Sequence, residues 1–99
     1  MSIEVTSRNK DIPASLQDYA REKAAAFEAE FPKTSAVHVV LDADRHLSKA
    51  QFTATVAGVS FAGASDDADN FMKAVDEAAD RLYRQARRQQ DKIGDNRKP

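Results

Sequence analysis

The sequence contains no cysteine and no tryptophan, and only three glycines and three prolines in 99 residues. Without cysteine, disulfide scaffolds, thiolate zinc sites, iron–sulfur clusters and cysteine nucleophiles are excluded, a composition that fits a reducing compartment. With 41% hydrophobic residues and no long biased tract, the chain is not disordered as a whole. Runs of about 18 apolar residues are missing, and the opening Met1-Ser2-Ile3-Glu4-Val5 has no basic segment leading into an apolar one, so neither a membrane span nor an export signal is visible. The length suits one domain, expected over residues 1–93, with 94–99 as a flexible tail.

The net charge of −1 conceals a strong asymmetry. Residues 1–80 carry eight Lys/Arg against fourteen Asp/Glu, whereas residues 81–99 carry seven against two, or −6 and +5. A basic end of this kind suggests an anionic partner, although a solvated tail gives the same pattern.

Hydrophobic periodicity divides the chain into six elements. Ile3 to Arg8 alternates apolar and polar residues as a half-buried strand does. Asp11-Ile12-Pro13 then opens a helix whose Leu16, Ala20, Ala24, Phe27 and Phe31 recur at spacings of three and four, and Pro32 closes it. Val37, Val39 and Leu41 mark a second strand, Asp44 to Ser48 a polar connection, and Phe52, Ala54 and Val56 a third strand that begins near Lys49. Ala57-Gly58 turns the chain into Val59-Ser60-Phe61. From about Asn70, Phe71, Val75, Ala78, Ala79, Leu82, Ala86 and Ile93 form one helical stripe reaching Lys92, with Asp69 or Asn70 as N-cap.

The order β-α-β-β-β-α predicts an α+β fold resembling a double-stranded-RNA-binding domain. Its four-stranded mixed sheet carries both helices on one face and includes a right-handed crossover between parallel strands. Phe27, Phe52, Phe61, Val75 and Leu82 are expected in one core. The opposite face carries no aromatic side chain, which makes base stacking on the sheet a poor mode for this protein.

Placed at 100° per residue, Arg81, Arg84, Arg88 and Lys92 share one flank of the second helix, with Lys73 at the edge of the stripe and Arg87 on the other side. Clustered arginines suit phosphate geometry, while a solvated face more naturally mixes its signs. His38, Asp42, Asp44 and His46 share strand parity, but side chains two apart are separated by about 6.6 Å along a strand, too far for four of them to share one coordination sphere. Asp66, Asp67 and Asp69 lack the spacing of a calcium loop. No phosphate-binding glycine loop, nucleophile elbow or paired-carboxylate site is evident, so no enzyme activity, metal or cofactor is expected.

The run Ile3-x-Val5-x-Ser7-Arg8-Asn9-x-Asp11-Ile12-Pro13-x-x-Leu16-x-x-Tyr19, followed by Lys23, resembles the opening of the bacterial ribosome hibernation-promoting factors, also called ribosome-associated inhibitors or ribosomal subunit interface proteins. Asn70-Phe71-Met72-Lys73-Ala74-Val75-Asp76 and Asp80-Arg81-Leu82-x-Arg84-Gln85, with Arg88 and Lys92, resemble the family's second half. The chain departs from the family pattern at Ser7, Ala26, Met72, Gln89 and Gln90.

The resemblance implies a cytoplasmic protein that binds the 30S ribosomal subunit, within the 70S ribosome too, in the messenger and transfer RNA channel. There it would contact 16S rRNA and inhibit translation under stress. It also implies a monomer off the ribosome, with no membrane and no small-molecule substrate. Lys23, Arg81, Arg84, Arg88 and Lys92 would face phosphates, with Lys73 and Arg87 as further candidates and Arg8 and Lys10 flanking the first loop. Two other readings stay open: a regulatory domain that docks its basic helix on an acidic partner protein, and a domain that binds generic duplex RNA.

Overall fold

The computed structural model describes residues 2–8, 12–44, 47–67 and 70–96, of which 2, 44 and 90–96 are described by their backbone alone. Lys10, Asp11, His46, Asp69 and residues 97–99, and the side chains of Asp44, Lys92 and Ile93, lie outside what is described. The elements are β1 (Ser2–Ser7), α1 (Ala14–Glu30), β2 (Thr34–Asp44), β3 (Leu47–Val56), β4 (Val59–Asp67) and α2 (Phe71–Asn96). One sheet orders them β1-β2-β3-β4, with β1 parallel to β2 and the other pairs antiparallel.

Strand parity is as the alternation predicts. Val37, Val39 and Leu41 of β2 and Ala50, Phe52 and Ala54 of β3 are buried, and the register sets Val39 opposite Phe52. On that face α1 covers β1 and β2, while α2 covers β3 and β4. Leu16, Ala20, Ala24 and Phe27 of α1 meet the sheet, as do Ala74, Val75, Ala78, Leu82 and Ala86 of α2. Fully buried Phe27, Phe52, Leu41, Leu82 and Val75 each contribute roughly 1.5–3 kcal/mol through removal of apolar surface from water. Phe61 is only half-buried against this core, because β4 is an outer strand and its ring has neighbours on one side.

The strands run further than the alternation alone suggests. Pairing continues through Ala43↔Ser48 to Asp44↔Leu47, so most of the expected polar connection is strand, since polar side chains on a solvent-facing surface do not end a ladder. Likewise β4 continues past Phe61 to Asp67, and the backbone of α2 stays helical beyond Lys92 and Gly94 to Asn96.

The helix ends follow local chemistry. Pro13 adopts an extended conformation before α1, and its carbonyl accepts hydrogen bonds from the N–H groups of Leu16 and Gln17. At the other end the Phe31 N–H bonds the Phe27 carbonyl, and the Thr34 hydroxyl and N–H both donate to the Phe31 carbonyl. Asn70 caps α2 by accepting from the Lys73 N–H at 3.1 Å, while Asp67 accepts from the Asn70 N–H at 2.9 Å. Among the described residues no helix is long and apolar enough to cross a membrane.

Candidate nucleic-acid interface

Two contacts show how the helices lie. The Tyr19 hydroxyl donates to Asp76, and Arg87 reaches Glu30 at 2.7 Å, so the same offset of 57 residues links α1 to α2 near both ends of their contact. The helices therefore run side by side in the same direction, and α2 continues past the end of α1 from about Arg88. Asp76, Tyr83 and Arg87 face α1. Arg81, Arg84 and Arg88, on the other side of the buried stripe, face away from it.

The candidate cations consequently divide into separate groups. Lys23 and Arg87 belong to the seam between the helices. Lys23 Nζ lies 3.2 Å from Asp76 and 5.3 Å from the centre of the Tyr19 ring. The hydrogen bond from Tyr19 holds the Asp76 carboxyl below its ordinary value, and the Lys23 ammonium adds to this. In turn the bond to Asp76 raises Lys23 and is the main reason the Tyr19 phenol is raised. Below this network Phe27, Phe31 and Tyr83 pack ring against ring, with Tyr83 edge-on to Phe27 at 5.3 Å, and burial raises the Tyr83 phenol.

Arg84 and Arg88 form the outer group. Arg84 is 73% exposed and pairs with Asp80 at 2.9 Å, one helical turn back. Arg88 is exposed, with no ion pair among the described residues. Exposed pairs of this kind contribute at most about 1 kcal/mol, so a phosphate can replace the carboxylate at little cost.

Arg81 leaves this group. Its guanidinium donates to the carbonyl of Ala64 on the outer strand β4, which turns the side chain round the sheet edge. There it lines a shallow concavity of about 450 Å³ with Arg8 and Lys49, beside Asp42 and Asp66. Lys49 is not among the cations singled out from the sequence, but strand parity with Gln51 places it on this open face. Arg8 thus sits across the sheet from the helices. Lys73 is not at the edge of the buried stripe as expected: nine residues before Leu82, it lies on the far side of the helix, at the opposite end of α2 from Arg88, 60% exposed and 3.8 Å from Asp67. The six described helix cations, Lys23, Lys73, Arg81, Arg84, Arg87 and Arg88, do not make one continuous band.

His38, on the open face, lies 2.9 Å from the Thr6 hydroxyl and 3.3 Å from Glu4. Among the described residues no three His, Asp or Glu side chains are placed to hold a metal ion.

A profile of the family described as Sigma 54 modulation protein / S30EA ribosomal protein matches residues 3–94. Similar curated proteins include a ribosome hibernation promoting factor of Pseudomonas putida, 26% identical over 92 residues that span 93% of this chain and 89% of the relative. Another, from Azotobacter vinelandii, is 27% identical over 85 residues spanning 86% and 78%. A ribosomal subunit interface protein from Coxiella burnetii shares the fold with a TM-score of 0.79 at 18% identity, covering 91% of this chain and 98% of that one. The Thermus thermophilus Protein Y N-terminal domain gives 0.75 at 27% identity, covering 89% and 98%. Matched by the family profile along nearly its whole length, the chain belongs to the Sigma 54 modulation protein / S30EA ribosomal protein family.

Proposed function

We propose that this protein is a non-enzymatic ribosome hibernation factor of the cytoplasm that binds the small subunit in the messenger and transfer RNA channel, contacts 16S rRNA and inhibits translation. The observation that carries this reading is the family match over residues 3–94, whose curated relatives are ribosome hibernation promoting factors. The surface chemistry agrees with it. Arg84 and Arg88 present guanidinium groups to solvent from a rigid helix, and the open sheet face has no aromatic platform, which suits recognition of phosphate and RNA shape over base reading. Lys23 and Arg87, held in ion pairs across the seam, would contribute from its rim.

Cosedimentation with purified 30S and 70S particles tests the reading. Binding should be lost when the ribosomal RNA is digested, and inhibition of translation should weaken when ribosomes are preloaded with messenger and transfer RNA. Inhibition unchanged by preloading would refute the channel site. Binding that survives nuclease would favour docking on an acidic protein instead.

A further inference from the structure

Away from the arginines, the first turns of α1 and α2 enclose a groove of about 560 Å³. Pro13, Leu16, Tyr19, Phe71 and Met72 form its apolar lining, and the bond from Tyr19 to Asp76 fixes one wall. Met72 is 51% exposed; the other exposed large hydrophobic among the described residues is Val59, beside the hairpin turn. Met72 faces away from the core, so the fold does not need an apolar side chain there. Its flexible thioether suits an apolar group of irregular shape.

Asp18 and Glu22 stand on the rim, and neither makes an ion pair among the described residues. The helix dipole does not account for them, since its influence fades within the first turn and α1 has no acidic residue there. Carboxylates without a partner beside an apolar groove repel phosphate and attract a cation.

We propose that this groove docks a basic segment of a small-subunit ribosomal protein, inserting an apolar side chain against Met72 and setting Lys or Arg beside Asp18 and Glu22. The proposal rests on the ribosome-binding reading above. It gives the two ends of the helix pair different partners, protein at the N-terminal turns and RNA at Arg84 and Arg88.

The absence of native cysteine makes a two-position crosslinking test clean. Ala14→Cys, exposed between Pro13 and Ser15 of the lining and one turn before Asp18, labels the edge of the groove; Gln85→Cys marks the outer flank, about 20 Å from Met72 along the helix. Each variant, labelled with a benzophenone maleimide and bound to purified 30S subunits, is irradiated and its adduct treated with ribonuclease. The label at position 14 should give a ribonuclease-resistant protein adduct and the label at 85 an RNA adduct. Adding Asp18→Lys and Glu22→Lys, at exposed positions where circular dichroism can confirm folding, should cut the protein adduct about tenfold and leave the RNA adduct undiminished. Crosslinking of position 14 to 16S rRNA, a protein adduct indifferent to charge reversal, or no adduct at 14 while 85 still reacts would each overturn the docking proposal alone. If neither label reacts and the chain does not pellet with 30S, the ribosome reading fails and takes this proposal with it.

Discussion

A methyl group at position 63 would decide how closely α2 can lie on β4. A Cβ built on Gly63 would come within 2.4 Å of the Ala78 carbonyl oxygen and 2.6 Å of the Leu82 nitrogen, both helix backbone atoms that no rotamer change can move. Gly63→Ala should therefore lower stability by about 2–3 kcal/mol in urea unfolding, with the helix displaced from the sheet edge. The hairpin turn presents the opposite case. Ala57 has φ of 51° and Gly58 φ of 81°, two left-handed residues in a two-residue turn where asparagine before glycine is the favoured pair. Ala57→Asn should raise stability by roughly 0.5–1 kcal/mol, because alanine is strained there and asparagine much less so. An unchanged unfolding midpoint would show that the strain is relieved elsewhere.

Among the elements, the parallel contact of α1 with α2 carries the best-defined electrostatics. Asp76 is ionised between the Tyr19 hydroxyl and the Lys23 ammonium, and its folded pKa lies below its unfolded one. Its contribution to stability is thus complete above the unfolded value and disappears as pH falls through the folded value. Wild type should exceed Asp76→Asn by a constant margin from about pH 6 to 8, and the gap should begin to close near about pH 4 and go on closing below it. At the alkaline limit the raised Lys23 and Tyr19 reverse the sense, and their contribution is lost as pH climbs through their folded values. All three groups are partly exposed, so the margin is small, and matched urea midpoints across pH are the suitable measurement.

At the scale of the whole molecule, charge is separated along parallel helices, with Asp18 and Glu22, unpaired among the described residues, in the first half of α1 and arginines toward the end of α2. A polyanion should bind the second end, through displacement of counterions from phosphate. If about four phosphates are contacted, affinity for 30S should fall with about the third to fourth power of salt concentration. Arg84→Glu with Arg88→Glu, both at exposed positions, should fold normally, bind much more weakly and lose about two units of that slope. Cosedimentation over a salt series, with circular dichroism as the folding control, reads both quantities. Wild-type affinity and slope in the double variant would make this flank a solvated helix surface.

The sequence by itself determined the element order, the strand parity and the buried stripe of each helix, because alternation every second residue and recurrence every three or four report burial directly. Val39, Phe52, Phe27 and Leu82 face inward for that reason. The Lys/Arg distribution likewise marked α2 before any fold was known. What only the tertiary structure decided is which charges become neighbours. A helical wheel gives the direction of Arg81 but not that the Ala64 carbonyl on an outer strand lies within its reach, and it groups Arg81 with Arg84 although the fold sends it round the sheet. Lys23 and Arg87 look alike as isolated cations, yet the parallel setting of the helices commits them to Asp76 and Glu30, each 50 or more residues away in sequence. The groove between Leu16 and Met72 and the demand for glycine at position 63 also arise from the lateral placement of whole elements. Periodicity is a property of one segment, whereas contact between segments depends on how their buried faces share a common core.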